Sequence, residues 1–287
     1  MRQDLPFLSL NKYLKNIFGE RVQKIPLDAG LTCPNRDGTK GTKGCIYCDP
    51  YGSGTGRARN GVTIREQMIQ GIDWARKRYG AKKYIAYFQS FSNTYASPDK
   101  LRKLYNDALV SSDVVGLFIG TRPDCIDDAV LDVIEECGKG RLITIELGLQ
   151  SAHNHTLQNI NRGHSVEDFV GAVESIKKRD LNVCAHVIFG LPGEGPEEML
   201  ATIQLLKSLN IDGIKFHQLY VVHGTQLYEE YKKNNISLLT LDEYCSLVAR
   251  AISILPERTV IHRLQGDPPR DHLIAPKWSL EKNEIRQ

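Results

Sequence analysis

The stretch "RLITIELGLQ", residues 141 to 150, is the one on which the fold turns. In an extended strand successive side chains point to opposite faces. Ile143, Ile145, Leu147 and Leu149 therefore share one face, and Thr144, Glu146, Gly148 and Gln150 share the other. The apolar face calls for a covering layer of helices. The other face carries a carboxylate, whereas a packed structural barrel fills its interior with branched apolar side chains.

On either side of this stretch five further strand-like segments stand in the chain. They are "RVQKIPLD" (21 to 28), "KKYIAYFQS" (82 to 90), "DVVGLFIG" (113 to 120), "LNVCAHVIFG" (181 to 190) and "GIKFHQLYVV" (213 to 222). Helical patterns occupy 63–79, 98–111, 127–138, 165–179, 195–209 and 240–254, and an amphipathic segment, "LNKYLKNIFGE", precedes them all. Such alternation predicts a parallel sheet with helices outside, joined by right-handed crossovers. Six repeats rather than eight predict an α/β fold built as an open, partial (β/α)6 TIM-like barrel with a C-terminal extension. The expected organisation is an N-terminal helical segment at 1–20, the barrel at 21–255 with a loop at 29–62, and the extension at 256–287.

The same alternation sorts the remaining strands. Val183, Ala185, Val187 and Phe189 are expected outward, leaving His186 inside; Ile214 and Phe216 outward, leaving Lys215 and His217 inside. Gln89 is expected inward, and Val115, Leu117 and Ile119 outward, with Arg122 turned in. The lumen is thus polar and charged near the carboxyl ends of the strands. For any one residue a self-satisfied buried network is an equal alternative; several together favour a ligand.

Composition bounds the classes open to the chain. With 287 residues, 41% of them hydrophobic, it can bury a sizeable core. No run approaches the ~18 apolar residues of a membrane span, and the start lacks the apolar core and cleavage site of a signal peptide. The expectation is a cytoplasmic chain with no membrane partner. A net charge of +3 and a pI near 8.4 permit an anionic partner such as RNA without demanding one.

Of seven cysteines, three fall in the loop "DAGLTCPNRDGTKGTKGCIYCDP" (28 to 50): Cys33, then eleven residues, Cys45, then two residues, Cys48. In a reducing compartment such clustering favours metal or redox chemistry over disulfides. A structural zinc would want a fourth Cys or His at a second paired spacing, and Cys125, Cys137, Cys184 and Cys245 are scattered singly. Three thiolates suffice for a cubane iron-sulfur cluster with one iron left open. Glycine amides and the Lys40 and Lys43 charges suit an anionic group of that kind. Zinc and coincidence stay open on spacing alone.

Ending in "CIYC" after the first strand, this loop resembles the cluster motif of the radical S-adenosylmethionine (SAM) superfamily. The usual spacing there is CxxxCxxC, and the long first gap is a feature of the branch containing the Elongator catalytic subunit. "GTRPD" (120 to 124), "ELGLQS" (146 to 151), "NRGH" (161 to 164), "HVIFGLPGE" (186 to 194), "FQSFSNTYAS" (88 to 97) and "HRLQGDPPRDHLIAPKW" (262 to 278) extend the likeness over nearly the whole chain. It is most similar to the YtqA/YhcC-like subgroup.

The resemblance implies that Cys33, Cys45 and Cys48 hold a 4Fe-4S cluster whose open iron chelates SAM. It implies that Gln150 contacts the ribose and Arg162 the SAM carboxylate, for which a guanidinium is suited. Where relatives grip the methionine amino group, this chain offers Gln89, Ser92 and Asn93. His186, Ile188 and Gly190 are expected along the cofactor from strand five, with His186 standing where relatives often carry Asp. The implied chemistry is one-electron reduction by an external donor such as flavodoxin or ferredoxin, cleavage of SAM to methionine and a 5′-deoxyadenosyl radical, and hydrogen abstraction from substrate. Glu146, Lys215 and His217 are the candidates for binding a polar or anionic substrate and moving protons. The subgroup points to tRNA, at the 5-substituent of the wobble uridine. The tail's Arg263, Arg270, Lys277 and Trp278 are expected either to grip phosphates and stack on a base or to plug the barrel mouth. The alternatives are a radical SAM enzyme acting on a small metabolite, and a non-enzymatic binding module built on structural zinc. The lack of further clustered cysteines argues against an auxiliary cluster.

Overall fold

The computed structural model of the chain describes residues 5–49, 52 and 56–281. The expected terminal segments at 1–20 and 256–287 and the loop at 29–62 lie partly outside those residues. The chain runs α1 (Leu10–Phe18), β1 (Val22–Leu27), α2 (Ile64–Tyr79), β2 (Lys83–Phe88), α3 (Pro98–Ala108), β3 (Val114–Thr121), α4 (Asp128–Gly138), β4 (Leu142–Gln150), α5 (Asn154–Asn159), α6 (Val166–Lys177) and β5 (Asn182–Phe189). It continues with α7 (Pro196–Ser208), β6 (Gly213–Gln218), β7 (Val221–Val222), α8 (Gln226–Lys232), α9 (Leu241–Ile254), β8 (Val260–Arg263) and β9 (Leu273–Ala275).

Several helices start where the sequence supplies reciprocal caps. Thr63 with Glu66, Ser165 with Asp168 and Thr240 with Glu243 each form a capping box, satisfying backbone donors that the first turn leaves without partners. The strands associate in the order β1-β2-β3-β4-β5-β6-β8, every pair parallel, and the sheet curls into a half-barrel. The outer face carries the main core: Ile145, Leu147, Val183, Ala185, Val187, Phe189, Ile214 and Phe216 all pack there against the helices. Full burial of such side chains contributes roughly 1.5–3 kcal/mol each.

The expected open, partial barrel of six parallel strands is present, and the C-terminal extension adds a seventh, β8, at the edge beside β6. With only four residues, it has too little alternation to stand out. Val115 does not join the outer core. The β2–β3 register shifts between Tyr84 and Ile85, which pair with Val114 and Gly116, and the extra residue of such a bulge breaks the alternation. Val115 packs instead on an inner apolar cluster of Leu10, Leu14, Val22, Ile85, Tyr87, Phe118 and Val260.

That inner cluster forms the floor of the lumen. α1 supplies Leu10 and Leu14 to it, and its cap residue Ser9 bridges to Ile261 of β8. At the opposite end, β7 and β9 pair antiparallel. The tail runs back over the barrel and is anchored by Trp278, whose Nε1 donates to Leu239 O at 3.0 Å and whose ring lies 5.4 Å from that of Tyr244. Lys277 Nζ donates to Leu273 O at 2.9 Å. Among the described residues no helix is long and apolar enough to cross a membrane.

Candidate functional site

A cavity of about 650 Å³ opens at the carboxyl ends of the strands, and Cys33, Cys45 and Cys48 stand on its rim. The loop bearing them is held by its own backbone and by what lies behind it. Cys48 N donates to Cys45 O at 3.0 Å and Gly44 N to Asn35 O at 2.8 Å; Ile46 N donates to Ile160 O, and Leu227 N to Ile46 O. Ile46 is buried with Leu157, Ile160, Ile188, Leu191, Leu219, Val221 and Leu227. One apolar side chain between two cysteines thus fixes both.

The turn after α5 is stapled to the same loop. Asn35 Nδ2 donates to the carbonyls of Asn161 and Arg162, each at 2.8 Å, and Asn161 Nδ2 to Gly44 O at 2.6 Å. Lys40 Nζ reaches Gly163 O at 3.1 Å. Gly163 has φ +71°, and a Cβ there would lie 2.2 Å from Asn35 Oδ1, so the staple has room for glycine alone.

Each thiol faces its own guanidinium. Arg162 Nη1 lies 3.6 Å from Cys45 Sγ, while its Nη2 donates to Gly148 O at 2.7 Å. Arg122 Nη1 lies 3.9 Å from Cys33 Sγ and donates to Arg162 O at 2.7 Å; its other nitrogens grip Asp124 at 2.9 and 2.8 Å. Asp124 also pairs with Lys40 at 2.6 Å; although burial opposes it, Arg122 and Lys40 hold its pKa at about 2. Arg36 Nη2 donates to the carbonyls of Cys48 and Asp49 at 3.0 and 2.6 Å. Burial pushes the Cys48 thiol up to about 12, and Arg36 beside it pulls the other way.

The donor set fits an anionic cluster: three thiols line one mouth of the cavity, with guanidinium groups beside them, and three thiolates with neighbouring cations suit an iron-sulfur cluster.

Gln150 stands beside them because β4 bulges. The β4–β5 register shifts between Gly148 and Gln150, and Gln150 takes φ +77°, a conformation costing on the order of 1–3 kcal/mol in a residue with a side chain. Bulges of this kind re-aim side chains at functional sites, and Gln150 lines the cavity with Gln89, Ser92, Arg162, His186 and Ile188. The Ser92 hydroxyl is buried without a hydrogen bond. Asn93 turns its Nδ2 to Gly120 O at 2.8 Å, and Gly190 N meets Met199 Sδ at 3.1 Å; neither lines the cavity.

Below this rim lies a buried polar chamber. Glu146 is fully buried and hydrogen-bonded to Lys215 Nζ, with His186 Nε2 at 3.1 Å and His262 Nδ1 at 3.6 Å. Lys215 Nζ also donates to Tyr87 OH at 2.7 Å, and the His186 and His217 rings stack at 5.6 Å. Burial works to raise the Glu146 pKa, but the Lys215 ammonium, His186, His262 and Lys24 outweigh it and hold the carboxyl well below its usual range. Burial lowers His186 and His262 to about 4, keeps His217 neutral, and with Lys215 brings Lys24 to about 7. Donor atoms of Glu146, Cys184 and His186 lie within 4.8 Å of one another, but the Lys215 ammonium already occupies that carboxylate and repels a cation.

Tyr87, Lys24, His262, Asn35, Arg36 and Asn161 were not expected from sequence. Tyr87 was within reach of the alternation that placed Gln89 inward; His262 sits on the unforeseen strand β8. In the tail, Trp278 and Lys277 each make a hydrogen bond within the chain, Lys277 and Arg270 are exposed, and Arg263 lines the cavity and pairs with Asp267 at 3.5 Å.

Comparison with known proteins agrees with this geometry. The family model for the radical SAM superfamily matches residues 36–206, and that for the radical SAM C-terminal domain matches 211–287. The chain is 38% identical over 277 residues to the uncharacterized protein YtqA of Bacillus subtilis, covering 96% of this chain and 86% of that one. It is 33% identical over 158 residues to the tRNA uridine(34) acetyltransferase of Methanocaldococcus infernus, over 54% of this chain and 29% of the relative. Among solved structures, M. infernus Elp3 lacking its N-terminus superposes with a TM-score of 0.72 at 21% identity, over 92% of this chain; the match spans under two thirds of that structure, 63%.

Proposed function

The chain belongs to the radical SAM superfamily and is an enzyme of that class, and we propose that it uses a 4Fe-4S cluster and SAM to modify the 5-position side chain of the wobble uridine of tRNA. The observation that carries this reading is the rim of three thiols, with Arg162 facing Cys45, Arg122 facing Cys33 and Arg36 beside Cys48, above a buried polar chamber. Cys33, Cys45 and Cys48 would hold the cluster, with SAM bound beside it in the same cavity. When bound, the pair supplies a 5′-deoxyadenosyl radical after one-electron reduction by an external donor of the flavodoxin or ferredoxin kind.

The protein's own residues orient and enclose. Gln150, aimed inward by the bulge, and Gln89 and Ser92 serve the polar edges of SAM, with Ile188 against its apolar surface. Arg162 Nε, buried and without a hydrogen bond, is left for the cofactor carboxylate. Lys215 and Arg263 suit a polar or anionic substituent, and Glu146, held ionised by Lys215, and His217, held neutral by burial, offer hydrogen-bonding groups of fixed charge to it. The apolar floor closes the chamber from below and limits water.

The tRNA assignment is supported by the match to the tRNA uridine(34) acetyltransferase over 158 residues. A small polar metabolite is the second reading, favoured by the enclosed polar chamber of Glu146, Lys215, His186 and His217 beneath the thiols. Anaerobic reconstitution with iron and sulfide, then dithionite and SAM, should yield 5′-deoxyadenosine. Cys45→Ala should abolish cluster and product, while Cys137→Ala retains both; equal iron in the two variants would sink the ligand assignment. Mass spectrometry of tRNA nucleosides from cells lacking the protein should show an altered wobble uridine restored by wild type and not by Cys45→Ala. An unaltered nucleoside pool would move the substrate to the metabolite.

A further inference from the structure

We propose that Arg36, Arg122 and Arg162 form a charge cage, one guanidinium per cluster thiolate, which retains the cluster and makes it easier to reduce. This rests on the cluster reading above but assigns these side chains a role that reading does not need.

Three features single them out. The pairing is one to one: Arg122 against Cys33 and Arg162 against Cys45, at 3.9 and 3.6 Å, and Arg36 over the Cys48–Asp49 backbone and beside the Cys48 thiol. Each guanidinium is also fixed from behind, so its position does not depend on a ligand. Arg36 is held by two carbonyls, Arg122 by the Asp124 fork and Arg162 O, and Arg162 by Gly148 O. Gly148 allows that last approach, since a Cβ there would lie 2.5 Å from Arg162 Nη2.

The charge count points the same way. Asp124 is shared between Arg122 and Lys40, and Asp49 also lines the rim; with Arg36 and Arg162, the cations outnumber these two carboxylates and leave a net positive surround for the thiolates. Arginine keeps its charge when buried, which lysine does not reliably do, and Arg122 and Arg162 are both buried. One-electron reduction adds a negative charge to the rim with no bond made or broken. Fixed cations and N–H donors at the sulfurs favour the more negative form and so raise the reduction potential.

The roles are those of positioning residues, so the test reads the cluster rather than turnover. Arg36→Gln and Arg122→Gln, beside Arg36→Lys and Arg122→Lys, would be reconstituted anaerobically without SAM. Iron per chain would be measured, and the paramagnetic signal of the reduced cluster followed through a redox titration with dithionite. Each Gln variant is expected to lower the ratio of reduced to oxidised cluster at fixed potential by at least about tenfold, equal to about 59 mV for one electron, and each Lys variant to recover most of it. Full iron with an unshifted midpoint in both Gln variants would overturn the proposal. Where a Gln variant loses iron, restored iron in the Lys variant supports it, and loss in both shows mere scaffolding and overturns it. Wild-type protein that binds no iron, or binds as much after Cys45→Ala, would overturn the cluster reading and this proposal with it.

Discussion

Replacing Lys215 by Met removes the ammonium from a carboxylate that has no access to water. Lys215 is 1% exposed and Glu146 fully buried, and the histidines around Glu146 are held neutral. Lys24, at about 7, supplies only part of a charge. Breaking a buried pair from one side costs about 3–5 kcal/mol, because the remaining charge is left without compensation. For a chain of this size that corresponds to a fall in Tm on the order of 10 °C. The sign with pH is specific. Without Lys215 the Glu146 pKa is raised above its unfolded value, so the folded state binds the extra proton and the penalty shrinks as pH falls through the raised pKa. Urea unfolding of the apoprotein under reductant, from pH 8 to 5.5, should show the gap to wild type narrowing. Lys215→Met with Glu146→Leu should recover most of the loss. A gap under about 1 kcal/mol, a gap independent of pH, or additive losses in the double variant would refute the account of the chamber.

The buried histidines predict a second pH dependence. His186 and His262 titrate near 4 in the folded chain because burial disfavours their charged form, against about 6.5 unfolded. Stability present above pH 6.5 should therefore be lost as pH falls, by roughly 2 kcal/mol per histidine at pH 5, and His262→Gln should flatten that limb in urea titrations. Gly163→Ala forces a Cβ toward Asn35 Oδ1 at a positive φ; reconstituted iron per chain should fall at least about twofold while the far-ultraviolet circular dichroism spectrum is kept. Trp278→Phe removes the bond to Leu239 O and should cost about 1–2 kcal/mol in thermal melts. If the indole instead grips RNA, the same variant would weaken tRNA retention in a filter assay and leave Tm unchanged.

How the site is built shows which features a linear reading can reach. Alternation within β4, β5 and β6 was enough to turn Glu146, His186, Lys215 and His217 inward, because a strand's period of two is a local property of the backbone. The spacing of Cys33, Cys45 and Cys48 marked the loop, because three thiols grouped among glycines and lysines point to metal or redox chemistry. A bulge is where local parity fails. Val115 was misplaced by the β2–β3 register shift, which depends on the facing strand and not on Val115 itself. Strand β8 escaped notice because four residues carry too little pattern and are fixed by hydrogen bonds to β6 across more than forty residues of chain.

The class of fold, the polar lumen and the three thiols were legible along the chain, because they are properties of periodicity and composition. Pairing came only with packing. Asn35 meets Asn161, Lys40 meets Asp124, Arg122 meets Cys33 and Lys215 meets Tyr87, each joining residues from separate parts of the chain. Charge and hydrogen-bond partners are chosen by distance in space. That distance is set by the packing of helices on the outer face and of α1 on the floor, neither of which is encoded next to the residues they bring together.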